Sequence, residues 1–258
     1  GAPRAPGLNS LGLPPHHDQR MLLCLSLLFA LGALRPTPAD QPPARSSDFL
    51  YLWASSADSS EADFLAVYDV RDRPSANHYG ALVTTIAVPG RANRTHHTEH
   101  DMPPDGQLFA NGFGSGQSFV FDLTRPASPQ IVTQFGDVGA LMHPHSFWRL
   151  PSGNVLATFQ MQHDPQGMAP GGLVEMTPRG AVVRQASANT PGVDRRVRPY
   201  SAAILPALDR IVVTTSDMDN RDTTRGFQCW RRAELTLQHS VELPSGPRGD
   251  EGFRSAEP

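Results

Sequence analysis

Four short strand-like segments of this 258-residue chain fall into register at a nearly constant spacing, and that repeat restricts the possible folds more than any other feature. Phe64–Val70 (FLAVYDV), Ser118–Leu123 (SFVFDL), Gly172–Thr177 (GLVEMT) and Phe227–Arg232 (FQCWRR) align so that Asp69, Asp122, Met176 and Arg231 share one position, at intervals of 53, 54 and 55 residues. Each leads through a turn into a second apolar or β-branched run, namely Ala81–Val88, Gln130–Phe135, Ala181–Ala186 and Leu235–Leu243, so each unit contains an outer hairpin. Between the hairpins, Gly106–Asn111, Gly153–Thr158 and Asp209–Thr214 read as turns entering short inner strands. About four strands per unit at a period near fifty residues is the pattern of β-propeller blades. The expected fold class is therefore all-β, a β-propeller of four-stranded antiparallel blades. The chain holds about three to four blades of a ring expected to have about seven, with Phe49–Ala54 as a further strand ahead of the first hairpin. A β-sandwich would not impose such a register, and no window shows the sustained 3.6-residue periodicity of long helices.

Composition agrees with a loop-rich β fold: Gly and Pro make 47 of 258 positions and charged residues only 18%. A net charge of −3 gives no basic footprint for nucleic acid or anionic membranes. Residues 1–20 read as a leader outside the fold. Met21–Leu34 is an apolar run, too short for the roughly twenty residues that span a bilayer, and Thr37 and Ala39 put small side chains where a signal peptidase reads. The segment 21–39 is thus expected to be a secretory signal peptide rather than a membrane span, with a buried helix or strand as the alternative. A periplasmic or secreted location follows from it. Residues 40–47 read as a Pro-rich linker and 48–258 as the propeller part. Cleavage would remove Cys24, leaving Cys229 without a disulfide partner. Asn93-Arg94-Thr95 is a formal glycosylation sequon.

Counting ten residues back from the inner turns Gly106, Gly153 and Asp209 reaches His96, His143 and Pro199. The segments His96-His97-Thr98-Glu99-His100, His143-Pro144-His145-Ser146-Phe147 and Pro199-Tyr200-Ser201-Ala202-Ala203 then become equivalent. In a propeller the innermost strands line a central channel, so these histidines would face one space. Imidazole suits copper, zinc or iron, and a site of several neutral histidines needs them from separate strands. A carboxylate such as Glu99 or Asp217 could hold a ring N–H behind the ligands. The bland alternative is that inner-strand histidines only bond backbone across the channel mouth. Gly112-Phe-Gly-Ser-Gly116 precedes a strand rather than a helix, so no nucleotide cofactor is expected. Asp217-Met-Asp-Asn-Arg-Asp222 lacks the glycine and distal glutamate of a calcium loop, and His163-Asp164 reads as a surface loop.

At these histidines the chain resembles the selenium-binding protein family, which includes the methanethiol oxidases. The likeness rests on His96-His97-Thr98, on His145-Ser146 followed by Ser152-Gly153-Asn154-Val155, on Gly171-Gly172-Leu173-Val174 and on the strand Asp63–Val70. It implies a larger propeller with further histidines, and for some members a copper-dependent oxidation of methanethiol to formaldehyde, sulfide and peroxide. It carries His96, His97 and His145 over as matching histidines, while His143 comes from the repeat alone. Tyr79 is followed by Gly80 where animal members have a selenium-linked cysteine, so selenium binding through that thiol is not expected. Trp148 stands where the family has the second histidine of a His-x-x-His pair.

Two functions of different class follow. One is an exported copper oxidase of a small thiol, with His96, His97, His145 and His143 as metal ligands and Glu99 as orienting residue or base. The other is a non-catalytic propeller serving as a protein- or ligand-binding platform, with a lactonase-like or quinoprotein-like enzyme as a third possibility. Because the ring would be open, the 258-residue chain is expected to hold only part of the site, to bind metal weakly and not to turn over.

Overall fold

A computed structural model describes residues 48–71, 79–217 and 226–243, and the leader, signal peptide and linker expected over 1–47 lie outside the described residues. The described strands form four antiparallel sheets in which sequence neighbours pair. The first contains β1 (Phe49–Ala54), β2 (Phe64–Asp69) and β3 (Ala81–Ala87). The second contains β4 (Thr95–Thr98), β5 (Gln107–Gly112), β6 (Gln117–Asp122) and β7 (Gln130–Phe135). The third contains β8 (Leu141–Arg149), β9 (Val155–Asp164), β10 (Gly167–Met176) and β11 (Val182–Ser187). The fourth contains β12 (Pro199–Leu205), β13 (Arg210–Thr215), β14 (Gly226–Arg231) and β15 (Thr236–Glu242). These are propeller blades in the expected order. Phe49–Ala54 does not stand apart from the first blade; it pairs with β2 along its whole length. No described helix is long and apolar enough to cross a membrane.

Strand alternation decides which neighbour each residue meets. On β5, Leu108 and Ala110 pack with Leu65, Phe119 and Phe121 towards the first blade, while Phe109 packs with Phe147, Phe159 and Met176 towards the third. On β9, Val155, Ala157 and Phe159 join that second cluster, while Leu156 turns to Ile211, Val213 and Trp230 of the fourth blade. Each of the larger side chains among these contributes roughly 1.5–3 kcal/mol by leaving water, so the blade interfaces carry much of the stability of the fold.

A second regularity is a bulge between the two outer strands of every blade, at Val67/Tyr68, Val120/Phe121, Glu175/Met176 and Cys229/Trp230. It makes Tyr68, Phe121, Met176 and Trp230 equivalent, so the sequence alignment of outer strands is one residue out of step at the third blade. Two further local readings change. His163 and Asp164 end a long hairpin rather than sitting in a loop, and Asp164 is clamped by both terminal nitrogens of Arg195, at 2.6 and 2.7 Å. Gly171 and Gly172 lie in mid-strand rather than opening a hairpin; a Cβ on either would stand 2.0 Å from the carbonyl oxygen of Phe159 or Ala186. Asn93 of the formal sequon is buried and donates to the Pro89 carbonyl. Of the Asp217–Asp222 loop, residues from 218 onwards lie outside the described residues.

Candidate metal centre

The innermost strands share one distortion. Thr95 and Thr98 of β4 pair with Gly112 and Ala110; Pro144 and Phe147 of β8 with Phe159 and Ala157; Pro199 and Ala202 of β12 with Thr215 and Val213. In each case two inner residues oppose one residue of the next strand, a bulge that re-aims side chains. The bulged pairs are His96-His97 opposite Asn111, His145-Ser146 opposite Thr158, and Tyr200-Ser201 opposite Thr214.

The opposing side chain completes the ladder that the bulge breaks. The second bulge residue donates its N–H to it every time: His97 to Asn111 Oδ1 (2.6 Å), Ser146 to Thr158 Oγ1 (3.2 Å) and Ser201 to Thr214 Oγ1 (3.2 Å). The same side chains also reach the next blade, since Asn111 Nδ2 donates to the Pro144 carbonyl (3.0 Å) and Thr158 Oγ1 to the Tyr200 carbonyl (2.7 Å). Blade spacing at the channel is thereby fixed by buried hydrogen bonds, which are costly to leave unmade.

This register corrects the equivalence read by counting. The step from Thr98 to its partner Ala110 is longer than that from Phe147 to Ala157, so a fixed count of ten slips between blades. His96 corresponds to His145 and Tyr200, not to His143. Two positions ahead of the bulged pair stand Arg94 in one blade and His143 in the next, and both take a left-handed φ, of 53° and 55°.

Of the four expected ligands, three converge. The candidate ligand atoms of His96, His97 and His145 all lie within 4.8 Å of one another, and Nε2 of His96 is 3.1 Å from Nε2 of His145. Two nitrogens bound at about 2.0–2.1 Å to one tetrahedral ion stand roughly 3.3 Å apart, so the His96–His145 pair is already near that spacing, while the cluster as a whole spreads to 4.8 Å. Nδ1 of His145 faces the Tyr200 carbonyl at 3.2 Å and Ser146 Oγ at 2.8 Å. A carbonyl only accepts, so Nδ1 carries the proton and the Nε2 lone pair is directed at His96. Nε2 of His97 is buried without a hydrogen-bond partner.

Burial lowers the His97 pKa to about 4, helped by repulsion from His96 and His100, and holds His145 well below the usual histidine value, with His97 and His96 adding to the effect. Both rings are neutral at physiological pH, the form that binds metal.

His143 is not part of the cluster; its ring lies beside Phe113, with centroids 5.9 Å apart, and its Nδ1 is buried without a partner. Glu99 directs its hydrogen bonds away from the imidazoles. Its carboxylate accepts Nε and Nη2 of Arg149, both at 3.0 Å, and the Phe109 amide at 3.1 Å. Burial pushes its carboxyl above the usual range against the pull of Arg149. The orienting role expected of a carboxylate falls at His145 to Ser146 and the Tyr200 carbonyl. Tyr200 also stacks on His145, with ring centroids 4.1 Å apart. The sequence puts Tyr200 in the right segment but gives it no role, and Asn111 and Thr158 carry no signal in it, because only the bulge register sets them opposite the bulged pairs that hold the histidines.

Comparison with known proteins accords with this picture. No known family profile matches the chain. Over 109 residues, 40% of the chain, it is 31% identical to a methanethiol oxidase from Hyphomicrobium sp, and the match spans about a quarter (24%) of that protein. In structure it is similar to a hypothetical selenium-binding protein from Sulfolobus tokodaii, with a TM-score of 0.60 at 16% identity over 80% of this chain and 50% of the other. It is also similar to a europium-containing methanol dehydrogenase, with a TM-score of 0.51 at 9% identity over 76% of this chain and 40% of that one. The structural likenesses establish a propeller fold. In sequence over that segment, and in fold over most of its length, the chain resembles the selenium-binding proteins and methanethiol oxidases.

Proposed function

We propose that the chain is the metal-carrying part of an exported, copper-dependent oxidase of a small thiol, methanethiol being the substrate class suggested by its relative. The observation that carries this reading is the three-imidazole cluster, with His97 Nε2 unpartnered and the His145 lone pair already aimed at its neighbour. Three histidines leave coordination positions open, as catalytic centres require. Imidazole donors suit copper, which when bound supplies one-electron redox chemistry to a coordinated sulfur. The protein's part is to keep His97 and His145 neutral, to fix the tautomer of His145 through Ser146 and Tyr200, and to hold the β4 bulge against β8 through Asn111 and the β8 bulge against β12 through Thr158. Glu99 serves this reading as the anchor of Arg149 rather than as a base. The three imidazoles come from the innermost strands of two neighbouring blades, β4 and β8.

Copper titration with elemental analysis tests the proposal: about one ion per chain is expected, with at least tenfold weaker binding in His97→Ala and His145→Ala. Peroxide release from methanethiol tests the activity. Absence of any stoichiometric transition metal, with His97→Ala indistinguishable from the parent, would return the chain to a non-catalytic binding platform. Export predicts a mature N-terminus at Asp40, readable by N-terminal sequencing of the secreted form.

A further inference from the structure

The turn between β5 and β6 lies against the metal centre. Its backbone is docked on the segment that leads into the first bulge: the Phe113 N–H donates to the Arg94 carbonyl at 3.0 Å and the Gly114 N–H to the Asn93 carbonyl at 2.8 Å. Ser115 Oγ donates back to the Gly112 carbonyl at 3.2 Å. Close approach explains the glycines. A Cβ on Gly112 would stand 2.5 Å from Asn93 Cβ, and one on Gly114 2.6 Å from Arg94 Cδ, while Gly116 takes a φ of +67°. Phe113 is therefore carried on a turn that cannot draw back from His96 and His97.

The Phe113 ring stands 5.6 Å from His96 and 5.6 Å from His145, the latter with planes at 87°, by ring centroids. Of the three ligands His96 is exposed, His97 half-buried and His145 fully buried, so solvent reaches the cluster from the His96 side. Phe113, itself half-buried, is an apolar group beside both the exposed and the buried imidazole.

We propose that Phe113 is a specificity-determining residue, the apolar wall against which the alkyl group of a small ligand held at His96, His97 and His145 packs, restricting that group to a short chain. This rests on the metal-centre reading above. It gives the Gly-Phe-Gly-Ser-Gly turn a reason to be tight: a mobile turn would neither exclude water nor discriminate by size.

Cobalt(II) is the probe, because its thiolate charge-transfer absorption reports ligand binding independently of turnover. The full chain, Phe113→Leu and Phe113→Ala are loaded with cobalt(II) and titrated with methanethiol, ethanethiol and 1-butanethiol. Cobalt affinity should stay within about threefold in all three proteins, since Phe113 is not a ligand. The parent should prefer methanethiol over 1-butanethiol. In Phe113→Ala, methanethiol should bind about tenfold more weakly and 1-butanethiol at least tenfold more tightly, in line with the discrimination that a hydrophobic pocket gives per methylene, and Phe113→Leu should lie between. An unchanged chain-length preference in cobalt-loaded Phe113→Ala overturns the assignment and leaves the metal centre standing. Failure of the parent to bind cobalt overturns both. If Phe113→Ala does not fold by circular dichroism, Phe113→Leu decides by the same criterion.

Discussion

The ion pair between Glu99 and Arg149 joins the second and third blades beside the channel, and its removal should be felt as stability rather than as loss of the metal centre. The Glu99 side chain is 4% exposed and that of Arg149 19%. Arg149 spans the interface, donating to both Glu99 oxygens, to Asp105, and to the carbonyls of Gln107 and Gly153. Arg149→Met strands a buried carboxylate with only the Phe109 amide as partner, and breaking a buried pair this way costs about 3–5 kcal/mol. For a domain of this size that lowers the melting temperature by on the order of 10 °C. Replacing both residues by methionine removes the stranded charge, so the double variant should be more stable than Arg149→Met, with a coupling of about 2–4 kcal/mol in the cycle. Urea unfolding followed by tryptophan fluorescence measures all four proteins. The Arg149→Met penalty should shrink as pH falls, because protonation neutralises Glu99. Copper affinity should be unchanged within about threefold in every folded variant, since Glu99 bonds no imidazole. Additive single effects, or loss of copper from folded Glu99→Met, would refute the reasoning and return Glu99 to the site.

Three further outcomes are expected. His97 has a pKa of about 4 in the fold against 6.5 unfolded, so the unfolded chain binds more protons between those values. His97 should therefore contribute on the order of 1–2 kcal/mol to the stability that metal-free protein loses between pH 7 and pH 5, with buried His145 adding to the loss, seen as a fall in the urea midpoint that His97→Ala reduces. Thr158→Val leaves the Ser146 N–H and the Tyr200 carbonyl without their shared partner; unfolding should register about 1–3 kcal/mol, and copper titration about a tenfold loss, because that carbonyl holds His145. Gly171→Ala drives a Cβ into the Phe159 carbonyl, whereas Gly153→Ala meets open space at a φ of +86°. Soluble yield and urea midpoints should show the first to be more than about 3 kcal/mol destabilised and the second about 1–2 kcal/mol.

The blade repeat was legible without any structure, because outer strands must alternate and turn at fixed lengths to pack on one another, and that period is written in Phe64–Val70, Ser118–Leu123, Gly172–Thr177 and Phe227–Arg232. The identity of the histidines as a group was legible for the same reason, since they fall in the inner segments of successive repeats. Which histidines meet was not. A fixed count back from the inner turns paired His96 with His143, because the connections differ in length and the count cannot see a bulge. Only the ladder, with Asn111 and Thr158 reaching across to the next blade, puts His145 against His96 and turns His143 aside. Glu99 marks the same boundary: its sequence position suggested a partner for imidazole, but an arginine fifty residues away reaches it first. Sequence by itself determined the architecture and the chemical type of the site, because both depend on local periodicity. Tertiary structure alone decided which imidazoles meet, because that depends on contacts between blades whose registers are set by bulges.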